Sequence, residues 1–367
     1  MVKPAAAHDA PKAEVTAARL TSQGLSGRPA KTPVEVVTRL LAVQAQDARG
    51  MRLGIRSRTT GVTATDVDAA LTSRRLLITW LNRGTLHLVT PEDYWWLHPL
   101  TTPQLTAGNA RRLRQEGVSS RQAELGVATV TAAVASGGPQ TRAQLRARLD
   151  AAGVPTKGQA LIHVLLAASI QGHIVRGPVL GSETAYVSVP DWLGAPPGSL
   201  KAIERGEALA RLARRYLAGH GPADARDLAK WAGLPLGEAR LGLAAIADEV
   251  VAVDGGLVKL AGSGPVAELP PPRLLGAFDP VLLGWDSRAA IVGRHRGIVT
   301  TNGIFRPFAM VAGRAVATWA LPAGQVEIRP LEAIAAGDLD VLQSDAAAVL
   351  RFLGMAPRPA RVVPVAG

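Results

Sequence analysis

Cysteine is absent from the 367-residue chain, which excludes disulfides and thiolate metal sites and fits a reducing cytosol. Long apolar runs are missing too, and no stretch approaches the length needed to cross a bilayer. The opening, MVKPAAAHDAPKAEV, lacks the apolar segment of a signal peptide and reads as a loose leader. There is no G-x-x-x-x-G-K phosphate loop, no H-E-x-x-H metal pair and no nucleophile elbow, and the histidines are scattered. Nucleotide hydrolases and the common metallohydrolases are disfavoured. The expectation is a cytoplasmic protein with no cofactor, no metal and no membrane association.

Acidic residues are also short: 29 Asp and Glu stand against 41 Lys and Arg, a formal charge of +12 and a pI near 10.8. Set against a simple bias toward Arg, Ala and Gly, a surplus of this size favours a polyanionic partner, nucleic acid ahead of membrane.

What is present begins with a repeat. GPQTRAQLRARLDAAGVPTKGQALIHVLLAAS from Gly138 and GPADARDLAKWAGLPLGEARLGLAAIAD from Gly221 share Gly-Pro, a short helix, Gly-apolar-Pro and a second apolar helix. Each is followed by β-prone residues, and two helices with a hairpin make a winged helix. A more divergent copy reads TPVEVVTRLLAVQ, TATDVDAALTSRR and TWLNRGTLHLV. After the break ELPPPR at 268 to 273 the chain turns β-rich, with a hairpin over Phe308 to Trp319 turning near Gly313 and Arg314. The expected class is α+β: three tandem winged helices and a C-terminal β-rich region around a concave DNA-binding cleft. The boundaries read as a leader at 1–18, winged helices at 19–125, 126–200 and 201–267, and the β-rich region and tail at 268–367. A groove-reading helix should carry polar residues, yet GQALIHVLLAAS and EARLGLAAIA are mostly apolar. They read as scaffold core.

The first copy holds LLAVQAQDARG at 40 to 50. Thr32 and Glu35 form a capping box around Pro33, so a helix starts there. Val37, Leu40, Leu41 and Gln44 follow the spacing of one helical face, which places an amide in an apolar stripe. In a continuing helix Gln44 and Gln46 would point roughly 200° apart. If the chain becomes extended near Gln44, both amides converge on one side. The bland alternative is one satisfied core amide and one surface amide.

Arg49, Arg52, Arg56 and Arg58 follow directly, and Arg288, Arg294, His295 and Arg296 form a second basic group. Both are candidates for phosphate contacts, weighed against ordinary solvated surface. GRHRG at 293 to 297 and the turn at Gly313 and Arg314 are alternative minor-groove probes, or plain sheet edges. His87, in GTLHLV, is open between core residue and wall of a site. Asp279 reads as structural because FDP is turn-like, and Tyr94, Trp95 and Trp96 read as core.

QAQ at 44 to 46, RGTLHLVTPEDY at 83 to 94, AFDPVLLGWDSR at 277 to 288 and NGIFRPFAMVAGRAVATW at 302 to 319 resemble the HTH_42 superfamily of winged-helix DNA glycosylases, most closely the AlkZ type that resists the crosslinking antibiotic azinomycin. A lone Q-x-Q is weak, whereas four blocks in this order are specific. The resemblance implies that Gln44 and Gln46 are catalytic. It also implies a Q-x-Q branch that unhooks interstrand crosslinks, where a Q-x-D branch takes a broader set of alkylated bases. Amides have no useful basicity, so they could only hold a water. That suffices for a cationic N7-alkylpurine, which departs without acid catalysis. The lysines nearest in sequence are Lys31 and Lys157, so a Schiff-base strand nick is not expected. A guanine tied to both strands cannot swing into a pocket, so attack without base flipping follows. The partner is then double-stranded DNA with N7-alkylpurine or crosslink lesions, bound by a monomer associated with the nucleoid. The competing readings are a winged-helix transcriptional regulator and a non-catalytic DNA- or drug-binding resistance protein.

Overall fold

The computed structural model describes residues 13–198, 203–295, 297–300 and 302–364. Helix α1 (Ala13–Ser22) occupies part of the expected leader: Leu20 is buried and Arg19 pairs with Asp227. Residues 1–12 of that leader lie outside the described residues.

Helix α2 (Pro33–Leu40) starts at the expected cap, where Thr32 Oγ accepts from Glu35 N. Glu35 reaches back one residue further than a capping box requires, to Lys31 N. The helix stops four residues before Gln44 because Leu41 takes φ 65°, outside the helical region. Strand β1 (Val43–Gln44) follows. Helices α3 (Ala48–Arg56) and α4 (Ala64–Thr72) then lead into the hairpin of β2 (Leu77–Leu81) and β3 (Thr85–Val89).

After α5 (Pro91–Thr101) and α6 (Leu105–Gln115), the pattern returns as α7 (Ser120–Gly137), α8 (Arg142–Ala151), α9 (Ala160–Ile170), β4 (Ile174–Leu180) and β5 (Glu183–Ser188). Following the short α10 (Val189–Leu193), it appears again as α11 (Arg205–His220), α12 (Ala225–Ala232), α13 (Leu236–Ala244), β6 (Val250–Val253) and β7 (Leu257–Leu260). The expected boundary at 200/201 falls outside the described residues.

Two features correct the sequence reading. The first two hairpins are not separate wings: they join into one sheet, β1-β3-β2-β4-β5, through Ile78 opposite Arg176. The division at 125/126 therefore separates segments that share a sheet. Helix α9 is core as expected, but α13 buries only Ala239 and Gly242 and leaves Leu241 64% exposed. Apolar composition alone could not tell a covered helix from an uncovered one.

The C-terminal region is a second five-stranded sheet, β12-β11-β10-β9-β8. Its strands are β8 (Arg273–Leu275), β9 (Phe308–Val311), β10 (Arg314–Ala320), β11 (Glu327–Pro330) and β12 (Arg361–Val362), joined by α14 (Ala289–Val292) and α15 (Ala336–Phe352). Strands β9 and β10 form the expected hairpin, turning on Ala312 and Gly313, both at positive φ. This sheet does not stand alone. Val37, Leu40 and Val43 share one apolar cluster with Leu274, Trp319 and Ile328, so the two ends of the sequence build one core. That packing seats the loop at 276 to 279 against α3. A methyl group at Gly50 would lie 2.2 Å from the Ala277 carbonyl oxygen, so only glycine permits this approach.

Candidate active site

The early stop of α2 makes the segment after it extended, and residues two apart then face the same way. Gln44 Nε2 donates to Gln46 Oε1 at 2.6 Å, so the two amides do meet. Gln44 is 5% exposed and Gln46 is exposed. With Gln46 Oε1 occupied, Gln44 Oε1 is left buried without a hydrogen-bond partner. Buried polar atoms are nearly always paired, so this oxygen marks a place where another group completes the structure. Both glutamines stand at the edge of the sheet, because β1 is its terminal strand.

His87 lies directly opposite Gln44 in the β1–β3 register, with Thr79 opposite it on the other side. It is buried, and its Nδ1 is 2.9 Å from the Thr85 carbonyl. A carbonyl only accepts, so Nδ1 carries the proton and Nε2 is the acceptor. Burial, and then the nearby positive charge of Arg83, push the imidazole down to about 3. At neutral pH the ring is uncharged, with its single proton committed to the Thr85 carbonyl. Continuing the same antiparallel register by two residues sets Thr85 across from Gln46, and Ala45 N bonding to Leu86 O carries the pairing that far. The Thr85 hydroxyl is buried and unpartnered, as are both polar atoms of Asn82 at the start of the turn. None of these hydrogen-bonding needs was visible in the sequence, since Thr85 reads there as an ordinary strand residue.

The basic residues divide sharply. Arg58, proposed above for DNA, is withdrawn from that role: its side chain is 1% exposed and grips Asp279, Gln23 and the Gly54 carbonyl. Asp279 also accepts from Val281 N, which makes it the structural residue its turn-like setting predicted. Arg52 is bound to Asp68, and Arg56 to Asp345. Arg49 alone of the four is exposed and, among the described residues, without a carboxylate partner.

In the second group, Arg288 is half-buried, donates to the Leu282 carbonyl and stacks 5.0 Å over the Phe305 ring. Its field reaches Arg83, whose guanidinium is lowered first by burial and then by Arg288. Arg83 in turn helps to keep His87 uncharged. Arg83 escaped notice because it reads as a turn residue; it anchors the hairpin on the Lys230 and Trp231 carbonyls.

Arg294 is 81% exposed, but His295 turns inward and bonds Glu332 at 2.9 Å, so it does not face solvent. Arg296 lies outside the described residues. The two alternative groove probes are neighbours: Arg294, His295 and Arg314 all gather around Glu332. The turn does not project freely, since Gly313 is buried against Thr16, Leu20 and Leu269. Tyr94 and Trp96 are core, with Trp95 packed partly against them. No helix among the described residues is long and apolar enough to cross a membrane.

The fold is thus a mixed helix-and-sheet scaffold that brings two neutral amides together at a sheet edge. Residues 37–352 match the description of the AlkZ-like DNA glycosylases, and the chain belongs to that family. The interstrand DNA cross-link repair glycosylase of Streptomyces sahachiroi is 26% identical over 95% of this chain and 98% of its own length. The solved structure of the Streptomyces sahachiroi DNA glycosylase AlkZ superposes with a TM-score of 0.77 at 25% identity, covering 97% of this chain and all of that one.

Proposed function

We propose that this protein is a monofunctional glycosylase for double-stranded DNA that hydrolyses the N-glycosidic bond of cationic N7-alkylpurines, including those in interstrand crosslinks, as self-resistance to a DNA-alkylating antibiotic. The observation that carries the reading is Gln44 Oε1, a buried acceptor with no partner beside a second amide. A water that donates one hydrogen to it and the other to Thr85 Oγ keeps a lone pair for the anomeric carbon. One acceptor alone would leave that water free to rotate; two fix it.

The charge balance suits neutral residues. The C1′–N9 bond breaks with its electron pair passing to a base that is already cationic, so the base leaves neutral. The water oxygen bonds the oxocarbenium-like carbon, and its surplus proton goes to solvent. Amide oxygens favour the positive charge that develops on the sugar. The neutral state of His87 fits a reaction that needs no general acid.

The edge position of β1 and the exposure of Gln46 support attack on a base that stays in the duplex. On this reading the helix-and-hairpin units, two of them sharing one sheet, surround a concave, basic face. The crosslink specificity rests on the resemblance to the Streptomyces sahachiroi enzyme. Gln44→Ala and Gln46→Ala are expected to slow single-turnover base release from an N7-alkylguanine duplex by about 10²–10³-fold, with DNA affinity preserved. Wild-type rates in both variants would overturn the assignment.

A further inference from the structure

A cleft of about 900 Å³ that the proposed chemistry does not use opens between α1, α11, β7 and the strip at 261 to 267. Its walls are pinned. Ser22 donates to the Gly221 carbonyl, and Thr21 Oγ accepts from Ala267 N. Arg28, Arg39, Arg214 and Lys259 line it, against the single carboxylate of Glu249. Glu249 is fully engaged by Arg214 through two bonds of 2.6 Å. Among the described residues, nothing pairs with Arg28, Arg39 or Lys259. Ser26 also lines the cleft, more than nine-tenths buried, and its hydroxyl has no partner. Three uncompensated cations around an unused hydroxyl donor suit a phosphate oxyanion.

We propose that this cleft holds backbone phosphates of the duplex flanking the lesion. The connection to the active site is short. Arg39 is five residues before Gln44, so their Cα atoms are separated by at most ~18 Å at ~3.3–3.6 Å per residue. Phosphates on one strand advance about 3.4 Å along the axis per nucleotide, so the cleft reaches backbone within about five steps of the attacked sugar. Arg39 sits at the end of the helix that delivers Gln44, and a phosphate held there fixes the duplex relative to the water. The cleft also supplies the free cations that Arg52, Arg56 and Arg58 do not, since each of those already holds a carboxylate.

The salt series uses the full chain and undamaged duplex, so it does not depend on the glycosylase reading. Affinity is measured across a salt series for the wild type and for Arg28→Ala, Arg39→Ala and Lys259→Ala combined. Each lost phosphate contact removes about 0.9 from the slope of log K against log salt, so the triple variant should be shallower by about 2–3. A slope equal to wild type overturns the proposal. If the triple variant does not fold, Arg39→Gln and Lys259→Gln singly should each remove about 0.9. Trimming the duplex on one side of a central lesion should weaken the wild type and leave the triple variant indifferent; equal weakening of both also overturns it. Inorganic phosphate separates the two sources of the anion. If phosphate alone protects the wild type from thermal unfolding, and the triple variant loses that protection with an unchanged DNA slope, the cleft takes a free anion and the proposal fails.

Discussion

The arginines of α3 and its C-terminal flank and the cations of the cleft beside α1 carry the same formal charge and have opposite surroundings. Arg52, Arg56 and Arg58 each hold a carboxylate, and those carboxylates come from positions 68, 345 and 279. Arg28, Arg39 and Lys259 hold none among the described residues. The first group fastens α3 and its flank to α4, to α15 and to the loop at 276 to 279, while the second is available to an outside anion. A basic run therefore reports charge, and only its partners report use.

Breaking the most buried pair should have the largest effect. Arg58→Ala leaves Asp279 buried and uncompensated, and is expected to cost about 3–5 kcal/mol of stability by denaturant unfolding. Replacing both members by apolar residues of similar volume should recover most of that loss. A single variant as stable as wild type would show that the pair does not anchor this region.

The active-site edge gives a second contrast, between a hydroxyl used for packing and one used for water. Thr85→Val keeps the shape and should lower the single-turnover rate by about tenfold or more, with DNA affinity and melting temperature unchanged, while Thr85→Ser retains most of the rate. If Gln44→Ala is inactive and Thr85→Val is fully active, the amides hold the water without the threonine.

Acid separates stability from chemistry. His87 and His220 are pushed down to about 3 and His98 to about 4, each chiefly by burial. Below about pH 6.5 the unfolded chain takes up protons that the folded chain refuses. Stability is thus complete above that pH and falls as pH drops toward 4, by up to about 1.4 kcal/mol per pH unit for each histidine. Base release from folded enzyme should stay flat over the same range, because the proposed site uses no titrating group. A rate that follows a single ionisation near neutral pH would return His87 to a catalytic role.

The smallest effect sharpens the opening contrast. Arg52→Ala and Arg56→Ala together should change the salt slope of DNA binding by less than one contact's worth, about 0.9, because their charges are already matched. A drop as large as that of the cleft variants would mean that DNA displaces Asp68 and Asp345.

Some of this was legible in the chain itself. Thr32, Pro33 and Glu35 mark the start of α2 with local hydrogen bonds, and the Gly-Pro repeats mark helix pairs followed by hairpins, because caps and turns are satisfied by residues three or four apart. The meeting of Gln44 and Gln46 could be anticipated too, given an extended segment, though the stop at Leu41 rests on a backbone angle that no residue preference announces.

Other features were decided only by the fold. Arg58 reads as one more surface arginine until Asp279, 221 positions away, is brought against it. Thr85 and His87 gain meaning only when β1 pairs beside β3, and the basic cleft exists only because α1, α2, α11 and β7 converge. Local sequence determines what each segment can satisfy by itself; which charges remain unpaired depends on partners that only the packed core brings within reach.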